Sequence, residues 1–309
     1  MGRIYHGITE LIGHTPLVAL DRFEREEGIG AHLLAKLEAF NPAGSVKDRP
    51  AINMIEAAEA DGSLKPGGTL FEGTSGNTGI GLAAIGAAKG YKVMLCMPDN
   101  VSVERKKLME SYGATVYLTP GEKSMAGANE KVAELFEQTD NAVIIGQGAN
   151  PNNPGAHYKT TGPEIWEDTE GKVDILVATS GTGGTISGTG RFLREKNPAV
   201  KIIAVEPQGS AVLNGGEHGP HKIQGIGGGG IPPVTDQSLF DEVIDISDED
   251  AYRYANKLPK TEGISIGISA GAALAAAVQV GKRPENAGKN IVVIIPDSGD
   301  HYLSSDLYD

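Results

Sequence analysis

The sequence predicts an α/β protein of two three-layer units, each a parallel-rich sheet with helices on both faces. Three observations predict it. Short apolar runs alternate with longer helical patterns along nearly the whole chain. The 309 residues are enough for about two domains. The 43 glycines cluster in short runs, several directly after an apolar run, where a backbone turns tightly or approaches a ligand.

The elements follow in order. Residues 32–38 (HLLAKLE) read as a strand, and 51–61 as a helix closing at Gly62. Residues 69–74 (TLFEGT) form a strand, 80–89 an Ala-rich helix ended by Gly90, and 92–98 the next strand. A helix over 102–112, a strand over 115–120, a helix over 125–138 and a strand over 141–146 complete the first series. A polar, Pro-rich stretch, GANPNNPGAHYKTTGPE, separates it from the second. There, strands are expected over 173–180, 201–207 and 290–297, and helices over 186–196, 248–258 and 270–280. A Gly-rich loop spans about residues 210–233. The acidic residues 248–250 suit a helix N-terminus, where the dipole favours negative charge.

Composition narrows the function. The formal net charge of -13, with no compensating basic block, makes a poor partner for nucleic acid or an anionic membrane. A lone cysteine, Cys96, rules out a disulfide within the chain and fits a reducing compartment; in VMLCMP it reads as a buried, inert thiol. The N-terminus has no apolar core of signal-peptide length, and no run of about 18 apolar residues occurs, so the cytoplasm is expected.

Chemistry in an α/β protein collects at the carboxyl ends of its strands, and four such junctions stand out. Glu72 to Gly79 (EGTSGNTG) opens a helix, whose N-terminal amides suit a carboxylate or phosphate; a well-capped helix start is the plainer reading. Ser180 to Thr185 (SGTGGT) is the stronger phosphate cradle. It is neither a Walker loop, lacking Gly-Lys-Ser/Thr, nor a dinucleotide fingerprint, because Ile186 stands where the third Gly belongs. Pro296 to Asp300 follows the last apolar strand. Gly267 to Gly271 matches the Gly-x-Ser-x-Gly of a nucleophile elbow, but KTEGISI is a poor preceding strand, and Ser269 is expected to cap the following helix. Glu217, His218 and His221 lack further ligands at metal spacing, so no metal site is expected.

Lys47, in NPAGSVKDRP, can be a solvated charge at a helix start. It can also carry a phosphorylated aldehyde cofactor as a Schiff base. Pyridoxal 5'-phosphate needs a lysine, a phosphate cradle and a partner for its pyridine nitrogen, and the cradle favours the second reading.

The chain resembles the cysteine synthase (O-acetylserine sulfhydrylase) family of fold-type II pyridoxal-phosphate enzymes. The resemblance is carried by LIGHTPLV, LEAFNPAGSVKDR, EGTSGNTGIGLA, TTGPEIWEDTEG, SGTGGTISG, GPHKIQGIG, GISAGAA and PDSGDHYLSS, in order along nearly the whole chain. It implies a tryptophan synthase β-like fold with the active site in an interdomain cleft. It implies a small domain at 41–154 that closes over substrate, and a large domain from 1–40 plus 155–309. It makes Lys47 the cofactor's lysine and the base that moves the Cα proton. Asn77 would bond the cofactor's 3′ oxygen, Gly181, Thr182, Gly183, Gly184 and Thr185 its phosphate, and Ser298 its pyridine nitrogen. Thr74, Ser75, Gly76, Thr78, Gln147 and Gly228 would meet the substrate. The implied reaction is β-replacement, O-acetyl-L-serine and sulfide giving L-cysteine and acetate through an α-aminoacrylate. A homodimer and binding of the C-terminal tail of serine acetyltransferase are further implications.

Two positions depart from the family pattern. Gly148 and Gly230 each stand where the family commonly has Phe. Either neighbours fill the gaps, or the nucleophile entrance is wider and admits a thiol such as homocysteine or cysteine, or lets sulfide leave cysteine. A non-catalytic partner-binding protein is the alternative of another class; the presence of Lys47, Asn77, the cradle and Ser298 speaks against it.

Overall fold

The computed structural model describes residues 4–100 and 103–309. From the N-terminus come β1 (Leu17–Ala19), α1 (Asp21–Glu27), β2 (His32–Leu37), α2 (Asp48–Ala60), β3 (Thr69–Gly73) and α3 (Asn77–Lys89). Then follow β4 (Lys92–Pro98), α4 (Val103–Ser111), β5 (Thr115–Thr119), α5 (Ser124–Phe136), β6 (Ala142–Ile144), α6 (Asn152–Lys159) and α7 (Thr161–Asp168). The rest are β7 (Ile175–Thr179), α8 (Gly184–Lys196), β8 (Lys201–Pro207), β9 (Glu242–Ile246), α9 (Asp248–Glu262), α10 (Ile268–Gly281) and β10 (Asn290–Ile295). Ser102, where the sequence starts its third helix, lies outside the described residues.

The chain divides into two units. One holds Asn41–Asn153 with the described residues through Ile12; the other holds Gly13–Phe40 and Pro154–Asp309. The sequence boundaries assign all of 1–40 to the second. In the structure a short 3-10 helix, Ile8–Leu11, lies on α3, and Ile12 packs on the first unit's core.

In the first unit the sheet order is β5-β4-β3-β6, all parallel. Alternate side chains point to opposite faces of a strand, and both faces are covered. Leu70, Leu95 and Met97 join Met54 and Ile55 of α2 and Leu82 of α3, while Phe71 and Cys96 meet Ala128 and Val132 of α5. Burial pushes the Cys96 thiol up to about 11, which suits an inert core residue.

The second unit's sheet runs β1-β2-β10-β7-β8-β9, parallel except for β1. Ile175, Val177, Ile291 and Val293 face α9 and α10, while Leu176, Ala178, Val292 and Ile294 face α7 and α8. Strands covered on both sides carry continuous apolar runs, which is why NIVVII and KIIAV are so plain in the sequence.

The Pro-rich stretch, for which the sequence names no element, holds α6 and the start of α7. Pro154 and Pro163 each stand third in their helix, where no intrahelical acceptor awaits an N–H and proline costs little. Helix α9 runs past Pro259 to Glu262 although proline there gives up the N–H that position 255 could accept, and less than a turn of helix lies beyond it.

Glu27, at the end of α1, ties that helix to α9 and α10. It pairs with Lys257 and, at 3.0 Å, with Lys282. Burial alone would raise its carboxyl, but both lysines outweigh this and hold it at about 2. A carboxyl held low stabilises the fold above its unfolded value and loses that contribution as pH falls towards the folded one. Glu27→Gln is therefore expected to cost about 1–2 kcal/mol at pH 7, discounted for the exposure of Lys282. The difference should vanish in denaturation curves as pH falls from about 4.5 to about 2; a gap independent of pH would refute the pairing.

Candidate active site

In the first unit the turn Asn41–Gly44 aims the segment that carries Lys47. The Gly44 N–H donates to the Asn41 carbonyl at 2.9 Å, and Gly44 has φ +87°, a left-handed value that only glycine adopts freely. Lys47 is half-buried at the N-cap of α2, between fully buried neighbours Ser45, Val46, Asp48 and Arg49. Its N–H donates to the Ser45 hydroxyl at 3.1 Å. Helix α3 comes close here: a Cβ at Gly81 would lie 3.4 Å from the Lys47 carbonyl and from Asp48 Oδ1.

One turn earlier on α3 stand Asn77 and Thr78, its first two residues. Thr74 and Thr78 are buried, and Ser75, Gly76 and Asn77 are half-buried. The Gly76 N–H lies 3.4 Å from the Thr74 hydroxyl, and a Cβ at Gly76 would meet open space. Parallel pairing of β3 with β6 sets Gln147 beside this loop, and the Thr78 hydroxyl donates to Gln147 Oε1 at 2.6 Å. Thus Thr74, Ser75, Gly76, Thr78 and Gln147 gather at one strand edge, with Gly148 half-buried in the turn that follows. Helix N-terminal amides and hydroxyls on this scale suit a carboxylate.

In the second unit the loop Ser180–Gly183 runs from β7 into α8. Gly183 is the N-cap, with φ +77°, and its absent Cβ would lie 2.2 Å from Thr235 Oγ1. A Cβ at Gly181 would lie 2.6 Å from the Gly225 carbonyl. The glycines are therefore demanded by the segment behind them, whose Thr235 hydroxyl donates to the Thr182 carbonyl at 3.0 Å. What the loop offers is a helix N-terminus, Gly184 and Thr185, with the hydroxyls of Thr182 and Thr185. That donor set fits a phosphate dianion. Ser298 follows β10, the parallel neighbour of β7, so it lies at the same sheet edge as the cradle. Its hydroxyl accepts from the Asp300 N–H at 3.4 Å. Pyridoxal phosphate needs a lysine, a phosphate cradle and a partner for its pyridine nitrogen, and Lys47, the loop Gly181–Thr185 and the Ser298 hydroxyl are groups of those kinds, so the residues present fit it.

Gly228 and Gly230 lie between Gly225 and Thr235, both of which touch the cradle. Both are exposed, and a Cβ on either would meet nothing within 4 Å.

Ser269 is not a cap and sits on no elbow. No strand precedes it, and α10 begins at Ile268 with Gly267 as N-cap. A Cβ at Gly267, the N-cap, would strike Asp297 Oδ1, so that position is closed to a side chain. His218 meets the Ser210 hydroxyl at 2.9 Å and His221 the Gly227 carbonyl at 3.2 Å.

Two residues escape the sequence reading. His157 is fully buried on α6, with Nδ1 2.9 Å from Thr161 Oγ1 and Nε2 3.3 Å from Thr185 Oγ1, directly behind the cradle. Glu72 is buried at the end of β3. A histidine inside the Pro-rich stretch and a carboxylate inside an apolar strand are the available signals.

The pyridoxal-phosphate dependent enzyme family matches residues 8–297. A Bacillus subtilis (strain 168) protein named probable cysteine synthase is 50% identical, over 100% of this chain and 99% of its own. A second protein of that organism, named O-acetylserine dependent cystathionine beta-synthase, is 46% identical over 98% and 97%. The crystal structure of cysteine synthase from Entamoeba histolytica matches with a TM-score of 0.96 at 48% identity, over 99% of this chain and 91% of that one. With the family matched almost end to end and relatives near half identical along the full length, the chain belongs to the pyridoxal-phosphate-dependent enzymes, as one of the cysteine synthase type.

Proposed function

We propose that the chain performs β-replacement, taking O-acetyl-L-serine and sulfide to L-cysteine and acetate. The observation that carries this is Lys47: a half-buried amine at the start of α2, set against the helix whose first turn bears Asn77 and Thr78. When bound, pyridoxal phosphate supplies an electron sink that acidifies the Cα proton of an amino acid attached to it. Lys47 would hold it, Gly181 to Thr185 its phosphate, Ser298 its ring nitrogen and Asn77 its ring oxygen. Thr74, Ser75, Thr78 and Gln147 hold the donor's carboxylate and so orient Cα towards Lys47. The Lys47 amine takes the Cα proton as acetate leaves Cβ. Hydrosulfide adds at Cβ, and the Lys47 ammonium returns the proton to Cα. Ser298 offers a hydroxyl, which cannot keep the ring nitrogen protonated as a carboxylate would; this moderates the sink and favours elimination at Cβ. Steady-state assay with O-acetylserine and sulfide tests the reading; absence of cysteine formation by holoenzyme would end it.

A wider nucleophile range is a second reading, favoured by the open space at Gly230, where no neighbour has moved in. A relative bearing the name cystathionine beta-synthase supports it. Gly230 lacks the positive φ that would forbid a side chain. Gly230→Phe is expected to cut kcat/KM for homocysteine about tenfold or more while leaving sulfide within about threefold. Equal losses for both nucleophiles would refute the entrance role.

Among the described residues no helix is long and apolar enough to cross a membrane. A cytoplasmic homodimer that takes the tail of serine acetyltransferase is part of the same reading, supported by the single cysteine and the resemblance, and sedimentation with and without the tail peptide checks it.

A further inference from the structure

Glu72 has no role in the chemistry above, yet it is only 4% exposed and has no salt-bridge partner among the described residues. A buried carboxylate without a cation is costly unless its oxygens are well satisfied. Here Oε2 accepts from the Gly146 N–H at 2.7 Å and Oε1 from the Gln147 N–H at 3.4 Å. The β3–β6 ladder ends just before, where the Ile145 N–H donates to the Phe71 carbonyl at 2.9 Å. Beyond it the chain turns through Gly146 at φ +64° and leaves the sheet. Glu72 thus continues the ladder with a side chain where the backbone can no longer reach.

Gln147 is held at three points in consequence. Glu72 takes its amide, the Asn153 side chain donates to its carbonyl at 2.7 Å, and the Thr78 hydroxyl donates to its Oε1 at 2.6 Å. We propose that Glu72 is a positioning residue for the amino-acid donor: its ionised carboxylate fixes the Gly146–Gln147 turn, and through it the carboxamide that meets the donor's carboxylate. The proposal rests on the reading of Gln147 as a carboxylate contact.

Burial pushes the Glu72 carboxyl up to about 7, opposed by the amides of Gly146 and Gln147 and by the Gln147 side chain. These are the groups acting on it; no charged side chain of the flanking elements is among them. Protonation removes an acceptor from the turn, so donor binding weakens as pH falls through this range.

The test compares steady-state kinetics of Glu72→Gln, Glu72→Asp and Gln147→Ala holoenzymes, with O-acetylserine and sulfide varied separately. Glu72→Gln is expected to raise the KM for O-acetylserine about tenfold, with the KM for sulfide and the visible cofactor band unchanged. The rise in donor KM below about pH 7 should disappear from its profile. If Glu72→Gln does not fold, Glu72→Asp, which sets the carboxylate back by one methylene, carries the same measurement. A lower melting temperature with wild-type donor KM and pH profile would reduce Glu72 to a structural part. A raised donor KM in Gln147→Ala with none in either Glu72 variant overturns this proposal alone. No change in Gln147→Ala overturns the carboxylate reading and this proposal with it.

Discussion

Lys47→Ala is expected to lower turnover of O-acetylserine by about 10⁴-fold or more, and to abolish the visible absorbance of lysine-bound cofactor. The variant removes both the covalent anchor and the group that moves the Cα proton. It should leave the fold intact. The Lys47 side chain makes no cap bond to α2, and that helix start is fixed independently by the Gly44 turn, by Asp48 accepting from the Ala43 N–H at 2.6 Å, and by Pro50 in the first turn. The melting temperature of the apoprotein should therefore stay near that of wild-type apoprotein while activity disappears. Retained turnover, or retained absorbance in the variant, would move the chemistry to another residue.

Gly183→Ala should have the next largest effect. The substitution forces a side chain into a φ of +77° and places its Cβ 2.2 Å from Thr235 Oγ1. Thr235 cannot retreat without giving up the bond from its hydroxyl to the Thr182 carbonyl. Strain of this kind costs about 2–4 kcal/mol. Because it falls on the cradle, the affinity of the apoprotein for pyridoxal phosphate is expected to drop about 100-fold, as 1.4 kcal/mol is about a factor of ten. Fluorescence titration of apoprotein with the cofactor, alongside its melting temperature, separates the two consequences. Wild-type affinity with a lower melting temperature alone would show that the loop is structural and not a phosphate site.

What the sequence displays is governed by burial. The central strands β3, β4, β7, β8 and β10 read as apolar runs because helices cover both of their faces, and the glycines after α2 and α3 punctuate those helices. Strands β1 and β9 and helix α1 lack that signal. Strand β9, EVIDI, carries Glu242 and Asp245 among its five residues, β1 has three residues, and α1, DRFEREE, buries only Phe23. The Pro-containing helices α6 and α7 were hidden for a different reason, since proline's meaning depends on a register that the sequence does not number. Lys47 by itself was one more charge; the cradle and the family resemblance changed its meaning. Glu72 stayed silent, because its value comes from two amides more than seventy positions away, which only the β3–β6 pairing brings near.

The place of β10 bears on how the protein can be made. This strand lies between β2 and β7 in the second sheet, yet it is the last strand of the chain. During synthesis β2 leaves the ribosome roughly 250 residues before the strand it pairs with. Until then the β1–β2 pair and the β7–β8–β9 strands lack the strand that joins them into one sheet. The first unit has its four strands in hand by Ile144 and can close without waiting. The half that bears Lys47 and Gln147 can therefore be complete before the half that bears the cradle and Ser298 has a finished sheet to hold them.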